Sequence, residues 1–446
     1  MAVREQSNIL QNPKGDLTQG KISQHLWRLS GPMTWGIMMI ISFQLVDTYF
    51  VSLLGKETLT AFSFTFPVTY FIFSFIMGYS IATSSVISRL IGENNHDAVK
   101  RISTHALILV ALTSFILSIV GLIFLDPLFI LLGASKDFLP MIKDYMVPWF
   151  CGAFLVSTPM VGNAAMRACG DALTPAIIMT IAALINVILD PFLIFGIGPF
   201  PKLELEGAAI ATIVANAVAM CIAFIAMHQK KLLIGLFLQK ISYLKDSTKR
   251  LLSIALPVGL TNSIQPIVNA IIIALLAKTS SDAVAAFGIV TRIEAFVFII
   301  LMGLSVGMGP IIGQNFGAKK FDRVKNTIKM AMRFNIIWSF MIALLLGVFA
   351  KPITELFTND SNIVQYAVLF FWIVPITYAF SNLLNGWASV FNALGQPKRS
   401  ALIIFIKMIF IMIPALVIGH YFGKIPGIFI AIAVTNLTVG IFFHLQ

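Results

Sequence analysis

Charged side chains are scarce in this 446-residue chain, at 11% of positions, and acidic ones scarcer still: 19 Asp and Glu stand against 31 Lys and Arg. A water-soluble domain of this length cannot cover its surface with so few charges when 58% of its positions are hydrophobic, so lipid must solvate most of it. Cysteine is nearly absent, and the three present, Cys151, Cys169 and Cys221, lack CxxC spacing and read as packing residues. No GxxxxGK[ST] loop and no HExxH occurs, and the six histidines are dispersed, which removes the usual phosphate-loop and zinc-hydrolase chemistries; an enzyme is not expected. The first two dozen residues are polar and lack the basic, apolar and small-residue succession of a cleaved signal, so insertion is expected to use the first apolar stretch.

What is present is a series of apolar stretches of about 20 residues or more, each long enough to cross a bilayer. Twelve are expected, at 26 to 53, 59 to 88, 102 to 125, 140 to 168, 174 to 197 and 206 to 228, then 250 to 277, 282 to 312, 326 to 350, 364 to 392, 398 to 421 and 425 to 446. An even number puts both termini on one side. Of the basic residues, 22 fall in or beside the connections on that side and 7 on the other, so both termini are expected in the cytoplasm of a multi-pass inner (plasma) membrane protein. The same asymmetry absorbs the net charge of +12, and no nucleic-acid partner is needed to explain it.

The sequence also repeats itself. An offset of 225 pairs Pro32 with Pro257, Ala61-Phe62 with Ala286-Phe287, Met77-Gly78 with Met302-Gly303, Gly92 with Gly317, Pro127 with Pro352 and Gly170 with Gly395. A shorter outer loop then changes the offset to 220, pairing Gly207 with Gly427 and Asn216 with Asn436. The fold class is therefore an all-α membrane protein: twelve transmembrane helices in two six-helix lobes related by a pseudo-twofold axis along the membrane normal. The expected divisions are an N-terminal lobe over 1–228, a cytoplasmic linker over 229–249 and a C-terminal lobe over 250–446. The linker, with Lys230, Lys231, Lys240, Lys245 and Lys249 around a Leu-rich patch, reads equally as an interfacial segment or a solvated loop.

Across nearly its whole length the chain resembles the multidrug and toxic compound extrusion (MATE) family. The resemblance rests on the two lobes, the Pro32 to Asp47 spacing with Leu45-Val46-Asp47-Thr48, the turn Arg167-Ala168-Cys169-Gly170-Asp171-Ala172-Leu173-Thr174-Pro175, Asn186-Val187-Ile188-Leu189-Asp190-Pro191, and Gly207-Ala208-Ala209-Ile210-Ala211-Thr212. It is similar to the DinF-like branch, which implies ion-coupling carboxylates in the N-terminal lobe at Asp47 and Asp190, with Asn186 and Thr212 nearby. The NorM-like branch carries acids in the seventh and tenth spans. Here the seventh reads Thr261-Asn262-Ser263-Ile264-Gln265, and no acid occurs between 364 and 392.

Comparing the lobes points to the same residues without the family. Asp47 aligns with Ile272, Asn186 with Ile411, Asp190 with Ala415 and Thr212 with Ile432, so the fold does not require polarity at these sites. At about 1.5 Å per residue, Asp47, Asp190, Thr212 and Tyr145 lie at similar depth, roughly 8 to 10 Å from the outer surface. Gln44 and Asn186 each sit one turn deeper on the expected face of their carboxylate. Desolvation and a second carboxylate both favour proton uptake there; Asp47, Asp190, Asn186 and Thr212 equally offer oxygen ligands for Na⁺. The bland reading is that these groups only tie helices together. Pro32 is a shared kink whose further role is to let the first span bend when the acid changes protonation. In the second lobe Arg292, Glu294 and Lys407 are intramembrane charges: the expectation is an internal ion pair of Glu294 with Lys407 or Arg292, the alternative a place for Glu294 on the wall of a substrate cavity.

With no ATP site, transport must run on an ion gradient, one charge crossing 100 mV being worth about 2.3 kcal/mol. The expected function is secondary active export of amphipathic, cationic drugs or toxic metabolites in exchange for H⁺ or Na⁺, by a monomer surrounded by lipid, with no cofactor besides the ion. The rival readings are a lipid-linked oligosaccharide flippase, which calls for a strongly cationic cavity, and a receptor that moves nothing.

Overall fold

A computed structural model describes residues 15–234 and 241–445. The described residues are helical nearly throughout, with no strand. The first lobe has spans Ile22–Ser52, Lys56–Gly92, His96–Ile123, Leu139–Ala168, Leu173–Phe195 and Glu204–Gln229. In the second, the seventh span is Ile241–Asn262 continued by Ile264–Ala277, the eighth Ser281–Gly317, the ninth Phe321–Val348 and the tenth Ser361–Ile373 continued by Tyr378–Ala393. Breaks have local causes. Pro266 cannot donate to the carbonyl of Asn262, and Pro375 opens a single 3₁₀ turn in the tenth span. Short helices Leu125–Leu131 and Ala350–Glu355 follow the third and ninth spans at equivalent positions, so the repeat extends to the surface.

By length and composition, eleven helices among the described residues can cross a membrane, because the last candidate runs unbroken over 47 residues, Pro397–Phe443. A straight helix of that length would reach about 70 Å, over twice a hydrocarbon core of roughly 30 Å. Lys424 resolves this: its φ of 49° and ψ of −127° are non-helical and Pro426 follows. The chain reverses there, with Gly419 and Gly427 each abutting the other's backbone, and two spans result. Twelve spans in two lobes is thus the architecture.

The lobes meet through small residues, and the contacts are reciprocal. A side chain at Gly78 in the second span would strike Ala255 and Gly259 in the seventh; one at Gly303 in the eighth would strike Ser30 and Thr34 in the first. Ser30 and Ala255, and Thr34 and Gly259, are partners under the internal repeat. Nearer the termini, Gly92 lies against Gln314 and Gly317 against Arg89, again equivalent positions exchanged. Residue i touching j′ while i′ touches j defines a twofold relation, and glycine permits the backbones to come this close.

Polar bonds lock the same seam on the side of the termini. Gln314 Nε2 donates to Ala168 O at 2.8 Å and Arg89 Nη1 to Leu394 O at 3.0 Å; both acceptors lie at the C-terminal end of a fourth helix of a lobe, where carbonyls have no helical donor. Across this seam runs the segment before the first span. Leu17 N donates to Gln314 Oε1 at 2.9 Å, Asn315 Nδ2 to Leu17 O at 3.0 Å, Arg323 Nη1 to Gly20 O at 2.9 Å and Lys320 Nζ to Thr18 O at 3.0 Å. Leu17 is fully buried. Followed toward the other surface, the faces that carry Thr34, Gly78 and Gly303 present Leu45, Phe71 and Phe296, each within about 20° of its seam residue. These three are 44%, 47% and 44% exposed, so the lobes diverge there into a cleft.

Residues 229–249 divide in three. Lys230 pairs with Asp171 at 2.7 Å and Ile234 N donates to Thr104 Oγ1 at 3.0 Å. Residues 235–240 of the expected linker lie outside the described residues. From Ile241 the chain is already helical and docks on the third span, with the Arg101 guanidinium 4.6 Å above the Tyr243 ring and His105 Nδ1 2.7 Å from Ser247 Oγ.

Candidate ion site and substrate cleft

The first span packs against the fifth, and the fifth against the sixth, which brings Asp47, Asn186, Asp190 and Thr212 to one level of the N-terminal lobe. Asp190 is fully buried, Asn186 1% and Asp47 7% exposed. Asn186 precedes Asp190 by one helical turn, and the four-residue offset stacks them on one face. With its nitrogen toward Asp190, the Asn186 amide donates to Asp190 Oδ2 at 3.2 Å while its oxygen accepts from Thr212 Oγ1 at 3.1 Å. Turned the other way, it donates to Thr212 Oγ1 at 3.1 Å and leaves oxygen facing oxygen at Asp190. The first orientation satisfies both neighbours.

Two carboxylate oxygens stay unsatisfied: Asp47 Oδ1 and Asp190 Oδ1 are buried and no donor reaches them. The two acids act electrostatically on each other and on Tyr145. Tyr145 in the fourth span is buried and stacks edge-on against Phe62, with ring centroids 5.0 Å apart. An orphaned carboxylate oxygen in an apolar lobe is costly unless it carries a proton or faces a cation. Among the described residues no cluster of three or more His, Cys, Asp or Glu forms; the oxygen donors at hand are those of Asp47, Asp190, Asn186 and Thr212.

Gln44 is not brought into this cluster. It is exposed, and only its backbone carbonyl is engaged, accepting from Thr48 Oγ1 at 2.8 Å. A three-residue step turns the helix by about 300°, leaving Gln44 some 60° away from Asp47, enough to put it on the neighbouring face. Pro32 lies within the continuous first helix, between Ser30 and Thr34, the two residues that meet Gly307 and Gly303 of the eighth span. The proline thus lies at the level of the lobe interface, some 22 Å along the helix from Asp47, but two residues from each of these contacts it points to the opposite side of the helix.

The expected ion pair in the second lobe does not form. Glu294 accepts from the Tyr378 hydroxyl, while Lys407 Nζ, buried in the π-helical stretch Ile406–Met412, donates to Ser381 Oγ at 2.8 Å. Arg292 is exposed, and residues two apart on a helix point to opposite sides, so it cannot reach Glu294. Nor does Glu294 stand on the cleft wall: nine residues before Gly303, it faces half a turn away from the seam, into the lobe. Tyr378 and Ser381 were invisible as partners in the sequence because a hydroxyl 84 or 26 positions away leaves no local pattern.

Comparison with known proteins bears on the family and the two-lobe fold. The MatE family profile matches residues 32–192 and again 257–418, the two stretches opening at the proline pair that defines the repeat. The FAD transporter of Shewanella oneidensis is 39% identical over 425 residues, 95% of this chain and 94% of that protein. Multidrug export protein MepA of Staphylococcus haemolyticus is 28% identical, over 91% of this chain and 89% of its own. Among solved structures, a mutant of the Vibrio cholerae MATE transporter VcmN has a TM-score of 0.91 at 30% identity and the bent form of VcmN 0.89, each covering 95% of both chains. A twice-matched profile, full-length relatives that are transporters, and a shared two-lobe architecture place the chain in the MATE family of membrane transporters.

Proposed function

We propose that the chain is a secondary active exporter that exchanges an amphipathic aromatic compound for protons, with Asp47 and Asp190 as the coupling groups. The observation that carries this is the pair of buried carboxylate oxygens without donors, in a lobe whose twin holds Ile272 and Ala415 at the same positions. A proton supplies the missing donor directly; Na⁺ on the oxygens of Asp47, Asp190, Asn186 and Thr212 is the less favoured ion. Asp47 and Asp190 are buried within the N-terminal lobe, so ion and substrate occupy separate places and communicate through the first span. Proton binding at Asp47 changes the charge of a helix that, at Ser30 and Thr34 on either side of Pro32, is wedged against the other lobe. Exchange needs only that proton and substrate prefer different arrangements of that helix.

Export of drugs is supported by likeness to MepA; a flavin substrate is the second reading, supported by 39% identity to a protein named as an FAD transporter. The chain is oriented with its termini in the cytoplasm of the plasma membrane, which makes the open cleft outward-facing. A cysteine replacing Lys136 should react with an impermeant thiol reagent in intact cells and one replacing Lys245 should not; the opposite pattern would invert the orientation.

The coupling test is efflux from proteoliposomes under separately imposed pH and sodium gradients, with ethidium and FAD as substrates. Wild type should follow the pH gradient. Asp47→Asn should fall to the level of protein-free vesicles while eluting as a folded species, since Asn mimics the protonated acid and Ile272 is tolerated at the twin site. Full activity in the variant would remove Asp47 from coupling, and transport that follows sodium while ignoring pH would overturn the choice of ion.

A further inference from the structure

Five charged residues lie deep within spans: Asp47, Asp190, Arg292, Glu294 and Lys407. Four are inside a lobe, as described above, and Arg292 alone among them is exposed. Its direction follows from the eighth helix. Gly303 faces the first span across the lobe seam, and Arg292, eleven residues earlier, is within about 20° of the same face and about 16 Å further toward the open side. That is the wall of the cleft. None of the ion pairs among the described residues includes Arg292.

Phe296 lies on the same face one turn closer to the seam, 44% exposed, and its equivalent under the internal repeat is Phe71, 47% exposed on the second span. The cleft therefore has a pair of phenyl rings related by the pseudo-twofold axis, one from each lobe. Arg292 breaks that symmetry, because its equivalent is Pro67. A planar guanidinium can bind a phosphate through two parallel N–H donors, and aromatic faces suit a flat heterocycle. A charge held at this depth is expensive and marks a pathway.

We infer that Arg292 is a specificity residue of the cleft, binding the phosphate of an aromatic, phosphate-bearing substrate of the flavin-nucleotide class whose ring system lies against Phe71 and Phe296. This rests on the reading of the chain as an exporter with the cleft as its substrate route, and it reverses the preference for cations expected from the sequence.

The test uses riboflavin and flavin mononucleotide, which share a ring and differ by one phosphate, titrated against the full chain in nanodiscs. Wild type should bind the phosphorylated flavin roughly ten- to hundred-fold more tightly, the range of a charge-assisted contact. Arg292→Gln should bring the ratio of the two Kd values near one with riboflavin affinity unchanged, and Arg292→Lys should retain part of it. A wild-type ratio near one, no measurable binding of either flavin, or an undiminished ratio in Arg292→Gln would overturn the assignment. So would equal weakening of both flavins in that variant, which would make the arginine structural. If the phosphate preference depends on Arg292 but neither flavin is moved by an imposed gradient, the exporter reading fails and the assignment of Arg292 stands.

Discussion

Asp171, in the turn between the fourth and fifth spans, shows how closely opposed effects are balanced at a single side chain. Burial pushes its carboxyl toward neutrality, but the Lys230 ammonium at 2.7 Å and the Thr174 hydroxyl and backbone N–H outweigh it and hold the acid below its ordinary value of 3.8. A depressed folded value means that the contribution to stability is fully present above 3.8 and disappears as pH falls through the lower folded value. Asp171→Asn should lower stability by about 1 to 2 kcal/mol at neutral pH, through the lost ion pair with Lys230 and the loss of a negative charge at the start of the fifth helix. Thermal melts in detergent should show the wild-type advantage constant from about pH 8 to 5, far above the ordinary aspartate range, and shrinking only below about 4. An advantage that grew on acidification would contradict the assignment. Residues of this kind were only partly legible beforehand. The lobe comparison isolates Asp47, Asn186, Asp190 and Thr212 because lipid penalises unneeded polarity, whereas Gln44 was misplaced by treating a three-residue step as equal to four. Glu294 failed for another reason: its partner is a neutral hydroxyl, and charge counting finds only charges.

At the scale of the element, the first span joins the ion site to the lobe seam within one helix, Ile22–Ser52. Restoring the missing N–H by Pro32→Ala strengthens that helix by up to about 3 kcal/mol. A stiffer rod should transmit less bending, so the variant should melt at higher temperature, bind substrate as before and turn over several-fold more slowly in the pH-driven efflux assay. Unchanged turnover would leave the proline as architecture alone. Helix positions were read from hydropathy to within a few residues at most ends, since membrane crossing and apolar length are one constraint. What hydropathy could not show is that helices such as Lys56–Gly92 and Ser281–Gly317 run to 37 residues and project past the bilayer on the terminal side. Those extensions are polar enough to look like loops, yet they carry Arg89 and Gln314.

For the whole molecule, the two reciprocal bonds made by Gln314 and Arg89 hold the terminal side shut in the cleft-open form. Removing Gln314 takes away donors to Ala168 O and Gly15 O and the acceptor for Leu17 N, and a net loss near 1 kcal/mol shifts a two-state balance about five-fold. Cys169, 2% exposed beside this seam, reports the shift: in a chain with Cys151 and Cys221 replaced by Ala, Gln314→Ala should speed maleimide labelling of Cys169 about five-fold. No change would show that the glycine packing alone keeps the seam closed. None of this was visible in sequence, because the acceptors are main-chain carbonyls that every residue possesses. The segment that crosses the seam has a consequence for biogenesis as well. Its bonds join Leu17, Thr18 and Gly20 to residues 297 to 306 positions later. At roughly 5 to 20 residues per second of synthesis, the partners of Leu17 emerge some 15 to 60 seconds after it does. The first lobe must therefore stand in the bilayer as a half-transporter, its Gly78 and Gly92 faces and its leading strap uncovered, until the seventh span covers Gly78 and the eighth and ninth arrive to close the rest of the seam.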